Sequence, residues 1–213
     1  MIKRLPIVPE GLPIILTFSG LALFFYLLKL VPLYLPFFFL ALITIYFFRD
    51  PERTHPAIPQ AIISPADGRV IGLEKVYDES FFKKEVYCVS IFLSLFDVHI
   101  NRSPYSGRVV NTEYRPGKFL PALWRKAAKL NEQNSILLSG DFGPLVIRQI
   151  AGFIARRIVC WVKPGDYLAC GQKLGLIKFG SRVELLFPVV CEPYIKVGDK
   201  VRAGETIIAK FIA

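Results

Sequence analysis

Apolar positions fall in two textures along the chain. From Gly11 to Phe48 they form an almost unbroken run in which Lys29 is the one Lys, Arg, Asp or Glu. Lys29 divides the run into residues 12–28 and 30–48, each near the roughly 20 residues that a membrane-spanning helix requires. Between them lies K-L-V-P-L-Y-L-P, where Pro32 and Pro36 are expected to kink or end a helix. The pattern predicts a membrane-associated helical hairpin over residues 1–50 with both ends on one side. Lys3 and Arg4 before it, with Arg49 and Arg53 after it, place those ends in the cytoplasm by the positive-inside bias. A cleaved signal sequence fits less well, because no small-residue cleavage site follows the first run and a second run of equal length would remain. A shallow hairpin lying in the interface stays open.

From Pro51 onward the texture changes to short β-rich segments separated by Gly, Pro and Asp. Examples are R-V-I-G-L from Arg69 to Leu73, V-Y-C-V-S-I-F-L from Val86 to Leu93 and L-V-I-R-Q-I from Leu145 to Ile150. This spacing predicts a mainly β domain over residues 51–213, a sandwich or barrel of short strands. One patch, F-L-P-A-L-W-R-K-A-A-K-L from Phe119 to Leu130, carries apolar residues at helical spacing with Arg125, Lys126 and Lys129 among them. Such a helix suits anionic headgroups, and an ordinary solvated face equally well.

An internal repeat adds to the fold prediction. V-K-P-G-D-Y-L-A-C-G-Q-K-L-G from Val162 to Gly175 overlays I-K-V-G-D-K-V-R-A-G-E-T-I-I from Ile195 to Ile208, each with K-x-G-D and a later Gly at turn positions. Two such hairpins predict the pseudo-symmetric packing of biotinyl and lipoyl carrier domains. A carrier displays its lysine within Met-Lys-Met, and the only methionine here is Met1, so the repeat speaks to fold and not to a carrier function.

Composition sharpens the picture in three respects. Hydrophobic residues make up 53% of the chain and mean hydropathy is +0.44, an excess concentrated at the amino end. The formal charge of +10 falls almost wholly on the rest, and beside an apolar anchor it favours an anionic bilayer, where each basic residue gains roughly 1 kcal/mol. No nucleic-acid motif is present, so nucleic acid is not an expected partner. Cys88, Cys160, Cys170 and Cys191 are widely spaced, with no C-x-x-C pair and no histidine cluster, so no metal site is expected and the cysteines read as buried small hydrophobes.

Three short strings place reactive groups beside turns: S-P-A-D-G from Ser64, S-L-F-D-V-H-I-N-R-S-P from Ser94 and F-G-S-R-V from Phe179. Singly, Asp67 reads as a turn residue, His99 as a strand histidine and Ser181 as part of a Gly-Ser turn. Together they supply a carboxylate, an imidazole and a hydroxyl, the set in which His99 deprotonates Ser181 while Asp67 orients His99. A serine hydrolase is one outcome, although Ser181 lacks the G-x-S-x-G elbow and a β-like segment follows it.

Taken with F-F-R-D-P-E-R from Phe47, Y-R-P-G-K-F from Tyr114 and Q-I-A-G-F-I-A-R-R-I-V-C from Gln149, these strings closely resemble, in order, the short bacterial and archaeal phosphatidylserine decarboxylases. The match runs from about Phe47 to the carboxyl end, and the apolar hairpin ahead of it also resembles that family's. The resemblance implies self-cleavage at Gly180-Ser181 into a large chain of residues 1–180 and a small chain of residues 181–213, with Ser181 becoming a pyruvoyl group. It implies that this group forms a Schiff base with the serine headgroup and releases carbon dioxide to give phosphatidylethanolamine. His99 then serves as base for the cleavage and as proton donor in turnover, with Asp67 holding it.

Long-type relatives have Gly-Ser-Thr where this chain has Arg182 after the serine, and a second histidine where it has Arg102. Gly-Ser-Arg is similar to the short type, and the division of labour around His99 is left open. Arg102 and Arg108 are candidates to hold the substrate phosphate or carboxylate, and His55 reads as a linker residue. The expected partners are a phospholipid substrate, an anionic membrane and the two chains of one proenzyme as a heterodimer or a larger assembly, at the cytoplasmic face of the cell membrane. Archaetidylserine is the alternative substrate.

Overall fold

The computed structural model describes residues 6–153, 157–178 and 180–212. Lys3 and Arg4 of the amino-terminal flank, residues 154–156 of the Q-I-A-G-F motif and Phe179 of F-G-S-R-V lie outside the described residues. The chain divides into two compact units, Met1–Glu52 and Arg53–Ala213.

In the first unit a short 3-10 turn at Pro9–Gly11 leads into α1 (Leu12–Leu27), and α2 (Val31–Phe47) returns beside it. The break falls at Lys29, whose φ of 58° is left-handed. Pro32 stands in the opening turn of α2, where the missing N–H has no helical partner to lose. Pro36, expected to kink or end a helix, lies inside α2. The carbonyl its ring displaces belongs to Pro32 at the helix start, so no preceding helix is there to break. Val8 N donates to Phe48 O at 3.0 Å and Asp50 N to Pro6 O at 2.7 Å, which ties the two ends of the hairpin together. Thr17 and Thr44 turn their hydroxyls onto the carbonyls of Pro13 and Leu40, satisfying them within each helix. Ile15, Ala22, Ala41 and Phe47 are buried, whereas Leu16, Leu27, Phe39 and Ile43 are exposed. The segment Pro9–Leu27 is long and apolar enough to cross a membrane, and α2 is shorter.

The second unit is mainly β. Its strands are β1 (Ala61–Ile63), β2 (Gly68–Asp78), β3 (Lys84–Leu93), β4 (Ile100–Arg102), β5 (Gly107–Arg115), β6 (Gln133–Gly140), β7 (Gly143–Ile150), β8 (Ile158–Cys160), β9 (Tyr167–Leu168), β10 (Lys173–Ile177), β11 (Ser181–Pro188), β12 (Cys191–Pro193), β13 (Lys200–Val201) and β14 (Ile207–Phe211). An antiparallel eight-stranded sheet, in the order β13-β2-β3-β11-β7-β6-β5-β9, curls into a half-barrel, and two three-stranded sheets, β1-β14-β12 and β4-β10-β8, complete the unit. Alternation sorts β11 cleanly. Val183, Leu185 and Phe187 join Val89, Ile91 and Ile147 in the core, while Glu184 on the other face meets Arg148.

The helical patch is smaller than its spacing predicts, since only α3 (Ala127–Leu130) is α-helical. Pro121 removes a donor there, and the Asn131 side chain bonds both Leu120 N and Leu120 O at 2.9 and 2.8 Å, which holds the preceding segment in turns.

The repeat is pseudo-symmetric in detail. Lys163 N donates to Asp166 Oδ2 and Lys196 N to Asp199 Oδ2, both at 2.9 Å. The paired glycines Gly165 and Gly198 share φ values of 97° and 100°. Each hairpin also clasps a second repeated string, S-P-A-D-G-R-V from Ser64 or S-P-Y-S-G-R-V from Ser103. Ser64 Oγ donates to Ala66 O and Ser103 Oγ to Tyr105 O, both at 2.7 Å. Gly198 N reaches Val70 O and Gly165 N reaches Val109 O, both at 2.8 Å. Within this symmetry Asp67 and Ser106 are equivalent: Asp67 Oδ1 accepts from Ala203 N at 2.7 Å, and Ser106 Oγ accepts from Cys170 N at 3.0 Å.

Candidate active site

Ser181 is the first residue of β11, paired with Leu93 of β3, and its side chain points inward by the alternation that buries Val183. Its Oγ is buried and has no hydrogen-bond partner among the described residues, a condition that ordinarily costs about 1–3 kcal/mol. Gly180, just before it, has a φ of 64°, a conformation that glycine adopts without penalty. The hydroxyl is therefore held next to the Gly180 carbonyl by covalent connection, with no competing bond to draw it away.

His99 reaches this point from the 94–97 turn. Asp97 Oδ2 accepts from Ser94 N at 2.8 Å and Ser94 Oγ at 2.7 Å, which folds the turn. Its main-chain oxygen then lies 2.9 Å from His99 Nδ1. A carbonyl only accepts, so Nδ1 carries the proton and Nε2 presents a lone pair. That nitrogen accepts from Gly180 N at 3.2 Å. The imidazole of a buried His99 thus stands on the residue whose carbonyl the hydroxyl adjoins.

Across the same peptide lies Gly152. A Cβ there would overlap the Gly180 carbonyl oxygen and come within 3.0 Å of the carbonyl carbon. The third side is a buried amide relay in which Asn134 Nδ2 donates to Gln149 Oε1 at 3.1 Å and Gln149 Nε2 to Asn101 Oδ1 at 2.9 Å. Asn101 Nδ2, at the end of the relay, is buried without a partner among the described residues. Asn101 shares the face of β4 that continues from His99, and Gln149 is paired with Val183, so the relay lies one pleat along from Ser181.

The other expected residues have their own settings. Asp67 Oδ2 accepts from Arg53 at 2.8 Å in addition to the Ala203 contact, and Arg53 also pairs with Glu205 at 3.4 Å. Burial pushes the Asp67 carboxyl above its usual range, opposed by the Ala203 N–H and the Arg53 charge. The partner described for His99 Nδ1 is the Asp97 carbonyl, a contact that motif reading does not contain. Arg102 donates to Gly171 O at 3.0 Å and projects from the β4 face opposite to Asn101. Arg108 donates to Gly165 O at 2.7 Å, the counterpart of Arg69 donating to Gly198 O at 2.9 Å. His55 lies beside the Gly171 turn, its Cβ 3.7 Å from where a Gly171 Cβ would stand. Burial pushes the Cys88 thiol up to about 12 and Cys191 to about 11, which keeps both un-ionised near neutrality.

Of these, Asp97, Asn101 and Gly152 escape a reading of the chain by motif roles, although all three lie inside the quoted strings. The repeated S-P-x-x-G-R-V was a visible signal for the clasp role of Arg108.

A buried serine hydroxyl next to a glycine whose N–H meets an imidazole nitrogen gives the site the character of an enzyme nucleophile centre. Comparison with known proteins gives the family. The family model for phosphatidylserine decarboxylase matches residues 40–209. A phosphatidylserine decarboxylase proenzyme of Desulfotalea psychrophila is 44% identical over 214 residues, covering 98% of each chain. One from Nitrosomonas europaea is 46% identical over 178 residues, 83% of this chain and 82% of its own, and one from Carboxydothermus hydrogenoformans is 45% identical over 197 residues, 92% and 90% of the two. The chain belongs to the phosphatidylserine decarboxylase family, whose members are pyruvoyl-dependent lyases made as proenzymes.

Proposed function

We propose that this chain cuts itself between Gly180 and Ser181 and decarboxylates phosphatidylserine at the cytoplasmic face of a membrane. The observation that carries the proposal is the Nε2 lone pair of His99 3.2 Å from Gly180 N, in the residue before a buried serine hydroxyl that no other group engages among the described residues. A bond at the long end of the ordinary range is one the Ser181 hydroxyl can replace. Ser181 Oγ then attacks the Gly180 carbonyl carbon and its proton passes to Nε2. The C–N bond breaks, the residue 181 nitrogen takes that proton, and an ester replaces the amide. Loss of the Ser181 α-proton with departure of the Gly180 carboxylate leaves dehydroalanine. Water then releases ammonia, and residue 181 ends as a pyruvoyl group.

The residues present fit that group: Ser181 is engaged by no competing bond, Gly180 and Gly152 admit the rearranging carbonyl, and His99 is at hand. A ketone at position 181 supplies an electrophile for the headgroup amine and a sink for the electrons left when carbon dioxide departs. His99 Nε2, once protonated, is placed to return a proton to the substrate α-carbon. The Asp97 carbonyl holds the tautomer. Asp67, paired with Arg53, pins the Ala203 turn and contributes negative charge behind the 94–97 turn, which is how it supports His99 in this reading. Arg102 and Arg108 are engaged by turn carbonyls, so they brace the two hairpins more directly than they hold substrate.

The apolar exterior of α1 and α2, with Leu16 and Ile43 among its exposed residues, suits insertion into a bilayer. Intact-mass measurement tests the cleavage. The expected result is two fragments, the smaller beginning at residue 181 without a free amino-terminal serine and reactive toward hydrazines. A single uncut chain with esterase activity would instead support the serine-hydrolase alternative. Ser181→Ala is expected to abolish both the cut and decarboxylation, and analysis of the lipid product separates a phosphatidyl from an archaetidyl backbone.

A further inference from the structure

Two loops meet Gly180 and a third packs against Gly152 beside it, and each projects a large apolar side chain into solvent just beyond its point of contact. Leu95 Cδ2 lies 3.9 Å from where a Gly180 Cβ would be, and the next residue, Phe96, is 75% exposed. Gly152 touches the Gly180 carbonyl, and Phe153 after it is 68% exposed. Ala122 Cβ lies 3.4 Å from a Gly152 Cβ position, and Leu123 and Trp124 are 57% and 56% exposed. Single exposed apolar residues are ordinary; four around one buried peptide, on three separate loops, mark an interaction surface.

Charge selects the partner. Segments 94–97 and 118–131, with residues 152, 153 and 157, contain one acid, Asp97, against Lys118, Arg125, Lys126, Lys129 and Arg157. The Asp97 carboxylate is taken up by Ser94 and Arg125 pairs with Glu74 at 2.9 Å, while Lys126, Lys129 and Arg157 are exposed. Aromatic and aliphatic tips flanked by cations suit the interfacial layer of an anionic bilayer. We propose that these loops form a membrane-entering rim that brings the mouth of the Ser181 site to headgroup depth, independently of the amino-terminal hairpin. Ser181 is buried and Gly180 before it is half-buried, so a headgroup still held in a bilayer comes near it when this side of the domain meets the lipid surface. The inference rests on the reading of Ser181 as the reacting centre.

The test uses the full chain in vesicles of phosphatidylcholine and phosphatidylglycerol, with Trp161→Phe leaving Trp124 as the sole tryptophan. Brominated acyl chains are expected to quench Trp124 by about half, both in the cleaved protein and in a Ser181→Ala version that cannot cleave. Fluorescence equal in brominated and ordinary vesicles would overturn the rim. The triple variant Phe96→Ser, Trp124→Ser, Phe153→Ser is expected to cleave itself normally and turn over water-soluble short-chain phosphatidylserine at the parent rate. On bilayer phosphatidylserine it should be about tenfold slower. Equal loss on both substrates, or no loss on bilayers, counts against the proposal, and a change in oligomeric state would assign the surface to a second copy. Quenching in the Ser181→Ala protein needs no chemistry, so the rim survives or fails separately from the decarboxylase reading.

Discussion

Gly152 shows how a single missing side chain sets the site. Because a Cβ there would overlap the Gly180 carbonyl, Gly152→Ala must displace the peptide at which cleavage is proposed, and misplacement of reacting atoms by about 1 Å is worth about 100-fold in rate. The expected outcome is accumulation of the uncut 24.1 kDa chain, followed by gel densitometry over time. Asn101→Leu acts otherwise: it leaves Gln149 Nε2 buried without its acceptor, a loss of about 1–3 kcal/mol read from denaturant midpoints. Asp67 gives a pH signature. Its folded carboxyl titrates above its ordinary value of 3.8 because burial disfavours the charge. The stability it contributes is complete below that value and is lost as pH rises through the folded pKa. Asp67→Asn should flatten that part of the stability-pH curve, and calorimetry of the uncut Ser181→Ala protein across mildly acidic pH checks it.

Among elements, β11 carries the most, lying between β3 and β7 in the middle of the large sheet. Its inward face begins with Ser181, and its outward face anchors a buried charge cluster. Glu184 Oε1 pairs with Arg182 at 2.8 Å and Glu184 Oε2 with Arg148 at 3.1 Å. Glu184→Gln takes the paired carboxylate from Arg182 and leaves Arg148 with Asp78 at 3.6 Å, and is expected to cost about 3–5 kcal/mol, measured by chemical denaturation in the Ser181→Ala background. The repeated hairpins make a matched pair of predictions. Nothing lies within 4 Å of a Cβ at Gly165 or Gly198, so alanine at either is resisted by backbone conformation alone, about 1 kcal/mol each. Gly68→Ala should be far worse, because its Cβ would overlap Phe92 O.

At the level of the whole molecule, residues 181–213 supply β11 to β14 and so contribute to both the large sheet and the β1-β14-β12 sheet. A cut at residue 180 therefore removes one peptide bond from a structure otherwise held by strand pairing. The two fragments are expected to co-purify in mild detergent and to separate only in denaturant; spontaneous release of the small one would contradict this account. The hairpin unit predicts that detergent, and not high salt, frees the protein from membranes, because its exposed Leu16, Leu27 and Ile43 offer apolar surface that salt does not weaken.

The chemical inventory was legible in the residues themselves. An apolar run interrupted at Lys29, short strands after Pro51, the K-x-G-D repeat and the Gly180-Ser181, His99 and Asp67 strings depend on local composition and spacing, which survive in one dimension. Contacts between residues far apart in the chain do not. Why Gly152 must lack a side chain and that Asn101 ends a buried relay follow from β4, β7 and β11 meeting in space, and that Arg108 clasps Gly165 follows from β5 meeting the 163–166 turn. The helical spacing from Phe119 likewise yielded to Pro121 and to Asn131, whose bonds to a distant carbonyl no periodicity records. Sequence alone determined which groups are available to react, because side-chain chemistry is intrinsic. Tertiary structure decided which lone pair faces which peptide, because that depends on sheet register and on burial that removes water as a competing partner.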